Sequence, residues 1–297
     1  MNDRFFQSFL QSHYTKQAQM CQKLNSNALH SLSQVEEDEV HSFRLAIAQA
    51  AAVSFEATRV FSNEYLFSVL HVENRAFTHA VTKMARSLKW RRMYQVDTIS
   101  WKDVKVQLTS GSMYWYGYDV HKRPILWVRA MLKDWQTMSS RRTEEVRAHV
   151  YMVEMGCRRF MPPGVTTFTI VTDSSGLGLA QVDYQLMQQL LEVCVNNFPD
   201  RIGLVHAGPL TRMLKLMTSW LWPLLPIRLR GKISLLNDCA KELAKHMATD
   251  LIPLHMGGTA IHNLREPQVD SLKTHDIMEV SYMIQQQARC MEEIIDR

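Results

Sequence analysis

Short β-branched or aromatic segments alternate with longer helical segments over the second half of the chain, and this alternation constrains the fold most. Strands are predicted at 113–116, 125–128, 166–172, 201–206 and 232–236. Helices are predicted at 146–160, 182–197 and 238–247. Strands that alternate with helices are typical of βαβ units and a largely parallel sheet. The sequence therefore predicts an α/β fold with a mostly parallel, mixed sheet and flanking helices.

The residues before this alternation, 1–110, are predicted to form a helical N-terminal lobe. Ser33 and Glu36 have the spacing of a capping box at a helix start, and the alanine-rich run after them continues that helix to Ala57. Further helices are predicted at 64–88 and from Asp97 onward. The acidic run that contains Glu36 is interpreted as a solvated helix start rather than a metal site.

The end of the chain, 263–297, is predicted to form a C-terminal helix after a domain that spans 111–262. Apolar residues recur on one face of this helix: Ile277, Val280, Ile284, Met291 and Ile294. The face could bind a protein partner or pack back on the domain, and the sequence leaves both possibilities open.

The 209–232 segment is apolar, rich in large side chains, and contains cations but no acids. Membrane surfaces favour this composition, because aromatic and aliphatic groups enter the acyl boundary while positive charge faces anionic headgroups. Pro223, Pro226 and the charges inside the segment prevent an uninterrupted apolar span of about 20 residues. The segment is therefore expected to lie on a bilayer and not to cross it.

Composition excludes several other classes of protein. The five cysteines are far apart and none forms a Cys-x-x-Cys pair, so neither a zinc site nor a disulfide framework is expected. Lys89-Trp90-Arg91-Arg92 is one isolated basic cluster. Nucleic-acid binding requires a longer basic stripe with aromatic residues, so it is not expected here. The first ten residues lack the apolar region of a signal peptide. We expect a cytoplasmic protein that meets membranes peripherally and needs no cofactor, metal or nucleic acid.

Six short motifs follow one another in a fixed order between about Met113 and Gly258. They are Asp119–Pro124, Asp173–Leu177, Asn197–Arg201, Ala207–Pro209, Trp222–Leu225 followed by Lys232-Ile233, and Ile252-Pro253 with Gly257-Gly258. In order and spacing they resemble the motifs of the CRAL-TRIO family of lipid-binding proteins. The resemblance implies a sheet floor, flanking helices and a movable amphipathic gate helix over a deep lipid pocket, with a bound lipid as the ligand.

By position, the resemblance assigns headgroup contacts to Asp200, Arg201 and Lys232. The headgroup arginine of the family's N-terminal lobe has no clear counterpart, because His71 falls near its place. An alternative for Asp200 and Lys232 is a structural pair that ties two loops together. Candidate pocket and gate residues are Phe168, Ile170, Leu204, Leu210, Met213, Leu214, Met217, Trp220, Leu221 and Leu225. Candidate membrane contacts are Arg212, Lys215, Trp222, Arg228 and Arg230.

The expected function is non-enzymatic: the protein takes a single phospholipid or other lipophile into its pocket and exchanges it at membranes. A second possibility is a membrane-recruited adaptor that senses a phosphoinositide without bulk transfer. A hydrolase is disfavoured, because Ser174 and Ser175 lack the glycine of a nucleophile elbow. His206 and His255 are expected in hydrogen-bonded structural roles.

Overall fold

The computed structural model describes residues 32–108, 110–178, 181 and 183–260. The predicted C-terminal helix at 263–297 and the helical pattern before residue 32 lie outside the described residues. Within the described ranges, no helix is long and apolar enough to cross a membrane.

Over residues 32–108 the N-terminal lobe contains four α-helices, with short 3-10 turns at Phe55–Val60 and Val96–Thr98. The helices are α1 Gln34–Ala51, α2 Asn63–Leu70, α3 Phe77–Tyr94 and α4 Trp101–Leu108. Ser33 and Glu36 form the predicted capping box, with reciprocal backbone hydrogen bonds. Helix α1 ends six residues before Ala57, because Ala52 adopts a left-handed conformation with φ 54°.

The single helix predicted at 64–88 is wrong, since α2 and α3 are separate helices. The chain turns at 71–76, where Asn74 is left-handed with φ 57°. Arg75 donates a hydrogen bond to the carbonyl oxygen of Val69 at 2.9 Å, which satisfies an acceptor near the end of α2. This turn places Arg75 on the side of the lobe that faces the sheet domain.

Within the part of the chain that the structure describes, the sheet domain has five strands in the order β1-β2-β3-β4-β5. Strand β1 is antiparallel to β2, and the remaining neighbours are parallel, which confirms the predicted mixed sheet. The strands are Met113–Tyr118, Pro124–Arg129, Phe168–Asp173, Ile202–Gly208 and Ile233–Leu235. The helices are α5 Arg142–Arg159, α6 Tyr184–Asn197, α7 Arg212–Leu221, α8 Ile227–Arg230 and α9 Cys239–Leu243.

The two faces of this sheet differ in how completely they are covered. On one side, which we call the packed face, four side chains have no exposed surface: Ile125, Trp127, Val171 and His206. On the other, which we call the open face, Leu126 and Ala207 are buried, while their neighbours on that face are only half-buried: Val128, Ile170, Thr172, Val205, Ile233 and Leu235. Alternation along each strand separates the two sets. Side chains on the open face are therefore covered less completely than those on the packed face.

Several buried polar contacts fix the N-terminal lobe to the sheet domain. Arg91 of α3 forms a two-pronged ion pair with Glu154 of α5. Ser87 donates to the carbonyl oxygen of Asn197 at 2.6 Å, and the Tyr65 hydroxyl donates to that of Pro199 at 2.5 Å. The lobe thus packs against the connection between α6 and β4, where the Asn197–Arg201 motif lies.

His206 corrects one prediction on the packed face. It has no exposed surface, yet neither ring nitrogen has a hydrogen-bond partner among the described residues. Its ring lies against that of His246, with 4.5 Å between the ring centroids. Burial, with a contribution from His246, lowers the pKa of His206 to about 4.

This buried imidazole predicts a pH dependence of stability. Between pH 6.5 and about 4, the unfolded chain binds a proton at His206 and the folded chain does not, so stability falls as the pH falls through that window. His206→Phe should reduce the loss in the free energy of unfolding between pH 7 and pH 4 by up to about 3 kcal/mol. Urea titrations at the two pH values measure this difference. If the variant lost as much stability as the unmodified protein, the assignment of this pH dependence to His206 would be contradicted. Some pH dependence should remain in the variant, because burial also lowers the pKa of His149 to about 4.

Candidate functional site

A cleft of about 260 Å³ lies where the N-terminal lobe meets the sheet domain. Helices α3, α6 and α8 and the ends of β4 and β5 contribute its walls. Its lining residues are Lys83, Cys194, Val195, Phe198, Asp200, Ile202, Pro226, Ile227, Arg228, Leu229 and Lys232. Binding sites for drug-sized ligands span roughly 300–1,000 Å³, so this cleft suits a small polar group rather than long acyl chains.

Asp200 is held in this cleft by Arg75. The guanidinium donates to both carboxylate oxygens, with Nη1–Oδ2 at 2.5 Å and Nη2–Oδ1 at 3.0 Å. The Arg75 side chain is 4% exposed and stands behind Asp200, which has a left-handed backbone with φ 58°. Burial opposes ionisation, but the hydrogen bonds from Arg75 and the charge of Lys83 outweigh it and hold the pKa of Asp200 below its ordinary value.

The cations that line the cleft are bonded mainly to neutral oxygens. Lys232 Nζ donates to the carbonyl oxygen of Ile202 at 2.8 Å, and Arg228 Nη2 donates to that of Glu73 at 2.8 Å. Lys83 Nζ lies 3.8 Å from Asp200 Oδ2, at the outer limit of an ion pair. Burial, with repulsion from nearby arginines, lowers the pKa of both lysines. The cleft is therefore a net positive, partly desolvated site.

The structure brings Asp200 and Lys232 into one cleft but does not pair them. Asp200 pairs with Arg75 instead, so the predicted alternative of a structural Asp200–Lys232 pair is wrong. Sequence analysis missed Arg75 and Lys83, since it placed His71 near the position of the lobe's headgroup cation. The signal that would have found Arg75 is its place in a turn between two helices, which the single predicted helix concealed.

Arg201 has a different environment from its neighbour Asp200. It is 8% exposed, its guanidinium lies 3.4 Å from the ring centroid of Tyr65, and it donates to the carbonyl oxygen of Thr166 at 3.0 Å. The guanidinium of Arg201 therefore makes its contacts within the interface between the lobe and the sheet domain. Arg201 does not line the cleft.

The predicted pocket residues on the strands are not all brought together. Ile170 is half-buried on the open face, whereas Phe168 is 1% exposed and packs edge-to-face on Trp115 in the core. Leu204 is paired with Thr169, which places it on the opposite face from Ile170. The reason is strand alternation combined with a register irregularity between Phe168 and Thr169.

Cys194 lies at the inner wall of the cleft. It lies on α6 and lines the cleft, with intermediate exposure. Burial nevertheless raises the pKa of its thiol to about 11. Cys194 therefore lies between the cleft and the hydrophobic core cluster against which Ile170 and Val205 also pack.

The 209–232 segment folds as an amphipathic helix followed by two short turns. Thr211 caps α7, accepting a hydrogen bond from the backbone of Leu214, and the chain then forms Trp222–Leu224 and α8. Among the predicted pocket and gate residues, Leu214 and Leu225 are buried, while Leu210, Met213, Met217 and Leu221 are half-buried. One apolar side of the segment therefore faces the protein.

The outer side of the same segment is unusually apolar for a protein surface. Its exposed fractions are 42% for Trp220, 38% for Trp222, 43% for Leu224 and 81% for Ile227. Trp220, predicted as a pocket or gate residue, lies at the surface and makes an edge contact with Tyr184. Ile227, the most exposed of them, was not singled out by sequence analysis. Adjacent exposed apolar groups of this size mark an interaction surface.

The predicted membrane-contact cations divide into two kinds. Arg212 and Lys215 are exposed on α7, and neither forms an ion pair with a residue that the structure describes. Arg230 instead donates to the carbonyl oxygens of Leu225 and Pro223, and Arg228 donates to Glu73. Arg228 and Arg230 thus brace the segment in its present position, as well as carrying charge.

The groups considered for hydrolysis do not form a relay. Ser174 Oγ donates to the carbonyl oxygen of Pro209 at 2.7 Å, and His206 lies on the packed face. His255 Nε2 is 2.7 Å from Asp173 Oδ2, the hydrogen-bonded role predicted for it. Burial opposes ionisation of Asp173, but its bonds to His255 and Ser175 lower its pKa to about 2. This contact fastens the 252–258 motif to the end of β3.

Comparisons with known proteins agree with this geometry. The family model for the CRAL/TRIO domain matches residues 108–258. A CRAL-TRIO domain-containing protein of Schizosaccharomyces pombe is 26% identical over 156 residues, covering 51% of this chain and 33% of that protein. The phosphatidylinositol transfer protein CSR1 of Eremothecium gossypii is 24% identical over 233 residues, covering 72% of this chain and 52% of that protein. The chain thus spans about half, or less, of the length of these relatives.

A solved structure shares the fold. The crystal structure of Sfh5 superposes with a TM-score of 0.59 at 13% sequence identity, covering 90% of this chain and all of that one. The α/β architecture predicted from the sequence is confirmed by this likeness and by the sheet itself.

Proposed function

This chain belongs to the CRAL/TRIO domain family, and from that premise we propose that it binds a single lipid and exchanges it at membrane surfaces. The observation that carries the proposal is the contrast between the two faces of the sheet. Ile125, Trp127 and Val171 on the packed face have no exposed surface, whereas Ile170, Val205 and Ile233 on the open face are half-buried. Covering exposed apolar surface with a lipid chain is favourable, and contributes roughly 25 cal/mol per Å².

The positive cleft supports binding of the lipid headgroup. Acyl chains on the open face would place a phosphodiester at the cleft, where Lys232 can meet it as a point charge. Asp200 and the carbonyl oxygens around it can accept hydrogen bonds from headgroup hydroxyls. The relative from Eremothecium gossypii is named for phosphatidylinositol transfer, and we extend that ligand class to this chain as part of the proposal.

The 209–232 segment would supply the exchange step. Its inner side chains would cover the lipid, while its exposed tryptophans and its cations Arg212 and Lys215 would contact the bilayer. A swing of the segment away from α6 would open the interior to the membrane. The exposed edge contact between Trp220 and Tyr184 is a small interface to break.

The test is lipid mass spectrometry of the natively purified protein, together with a vesicle-to-vesicle transfer assay. We expect one phospholipid per protein and transfer that saturates with vesicle concentration. Purified protein that carries no lipid and moves none would overturn the proposal. Specific lipid loading without transfer would favour the membrane-recruited adaptor, which senses lipid instead of moving it.

The exposed tryptophans predict a large effect on membrane contact. Trp220→Ala with Trp222→Ala should weaken binding to anionic vesicles by about tenfold or more, because each large apolar side chain contributes about 1.5–3 kcal/mol when it is buried. Vesicle flotation measures the change. Met93→Ala on α3 is the matched control, since Met93 is 79% exposed and far from the segment in sequence. Equal losses in the two variants would contradict the assignment of this surface.

A further inference from the structure

The charge in the cleft exceeds what one phosphodiester neutralises. Three cations line it, Lys83, Arg228 and Lys232, together with one carboxylate, Asp200. Arg75 neutralises that carboxylate from behind with its two hydrogen bonds. A net charge of about +3 therefore faces the cleft, whereas a phosphodiester brings about −1.

These cations converge on one space and lack strong acidic partners there. Lys232 and Arg228 donate to carbonyl oxygens, which satisfy hydrogen bonds but leave the charge uncompensated. The Lys83 side chain is 23% exposed and its nearest carboxylate oxygen, at 3.8 Å, already belongs to the Arg75 pair. Burial and repulsion from nearby arginines lower the pKa of Lys83 and of Lys232, and a bound anion would offset that repulsion.

Resting on the proposed function, we propose that the cleft selects a lipid headgroup that carries a phosphomonoester in addition to its phosphodiester, as phosphorylated inositol lipids do. A phosphomonoester carries about −1.5 to −2 at pH 7, so the two groups together approach −3 and balance the cleft. The 260 Å³ volume suits such a headgroup. Lys83 of the N-terminal lobe is the cation that binds the added phosphate, and Lys232 of the sheet domain lies opposite it.

A free inositol phosphate has the same chemistry as the headgroup, so the experiment separates the two sources. Flotation with phosphatidylcholine vesicles compares equal mole fractions of phosphatidylinositol and phosphatidylinositol monophosphate. A second arm measures calorimetric binding of soluble inositol bisphosphate. We expect the monophosphate lipid to bind about tenfold more tightly than phosphatidylinositol, which is about 1.4 kcal/mol, and the soluble compound to bind more weakly than the lipid.

Lys83→Gln should remove most of the tenfold preference and leave phosphatidylinositol binding within about twofold. Lys102→Gln, an exposed lysine on α4, is the matched control for loss of one positive charge and should keep the preference. Circular dichroism and thermal unfolding check that both variants fold.

The outcomes separate this inference from the function on which it rests. Equal binding of the two lipids, with specific loading retained, would overturn the inference alone. Equal losses in Lys83→Gln and Lys102→Gln would also overturn it, since the preference would then be general surface attraction. Failure to load any lipid would overturn the proposed function. Soluble inositol bisphosphate bound as tightly as the lipid would overturn the assignment of a lipid as the ligand.

Discussion

Ile170→Trp should abolish most lipid loading without unfolding the protein. Ile170 is half-buried on the open face, so an indole there would occupy space that a lipid chain would take. We expect lipid content after native purification to fall roughly tenfold or more, while the free energy of unfolding changes by less than about 1.5 kcal/mol. Quantitative lipid mass spectrometry and urea titration measure the two quantities.

The next residue provides the control for this prediction. Val171 lies on the same strand but on the packed face, with no exposed surface. Val171→Trp forces the same side chain into a filled core and should cost about 3 kcal/mol or more, because well-packed interiors do not accept extra volume. If Ile170→Trp proved as destabilising as Val171→Trp, the open face would be filled in solution and the lipid-binding proposal would lose its main support.

Arg91→Met should be among the most destabilising substitutions at the boundary between lobe and sheet domain. Arg91 is buried and pairs with Glu154, whose side chain is 12% exposed. Removing one partner of a buried ion pair leaves an uncompensated charge and costs about 3–5 kcal/mol. Arg158 remains 3.2 Å from Glu154, so we expect a value in the lower part of that range by urea unfolding.

Two further variants separate the loss of the pair from the loss of packing. Arg91→Met with Glu154→Leu removes both charges and should recover most of the stability, since a buried pair replaced by apolar groups is often neutral. Arg158→Met removes a cation that is 49% exposed from the same cluster and should cost less than about 1 kcal/mol. A double variant as unstable as Arg91→Met alone would show that the guanidinium acts through shape and not through charge.

Much of the fold followed from local patterns in the sequence. The strand pair around Asp119 was predictable because the turn is self-contained: the Asp119 carboxylate accepts from the backbone of His121 and of Arg123. The start of α1 was predictable because the capping box lies within four residues. The single helix predicted at 64–88 was wrong because apolar periodicity continues through a turn that depends on the side chain of Arg75.

The candidate site was predictable only in part. The order of short motifs led to Asp200, Lys232 and the 209–232 segment, because each motif is contiguous in the chain. Arg75 could not be assigned to Asp200, since 125 residues separate them and only the packing of lobe against sheet brings them together. Leu204 was grouped with Ile170 because both are apolar strand residues, whereas the register between β3 and β4 places them on opposite faces.

By itself, the sequence determined the α/β class, the order of the motifs and the amphipathic, acid-free character of 209–232, because these depend on periodicity and composition over short stretches. The tertiary structure alone decided which cations meet in the cleft, which face of the sheet is covered less completely and which apolar groups reach the surface. Those features depend on strand register and on contacts between residues far apart in the chain, and neither is encoded in any local pattern.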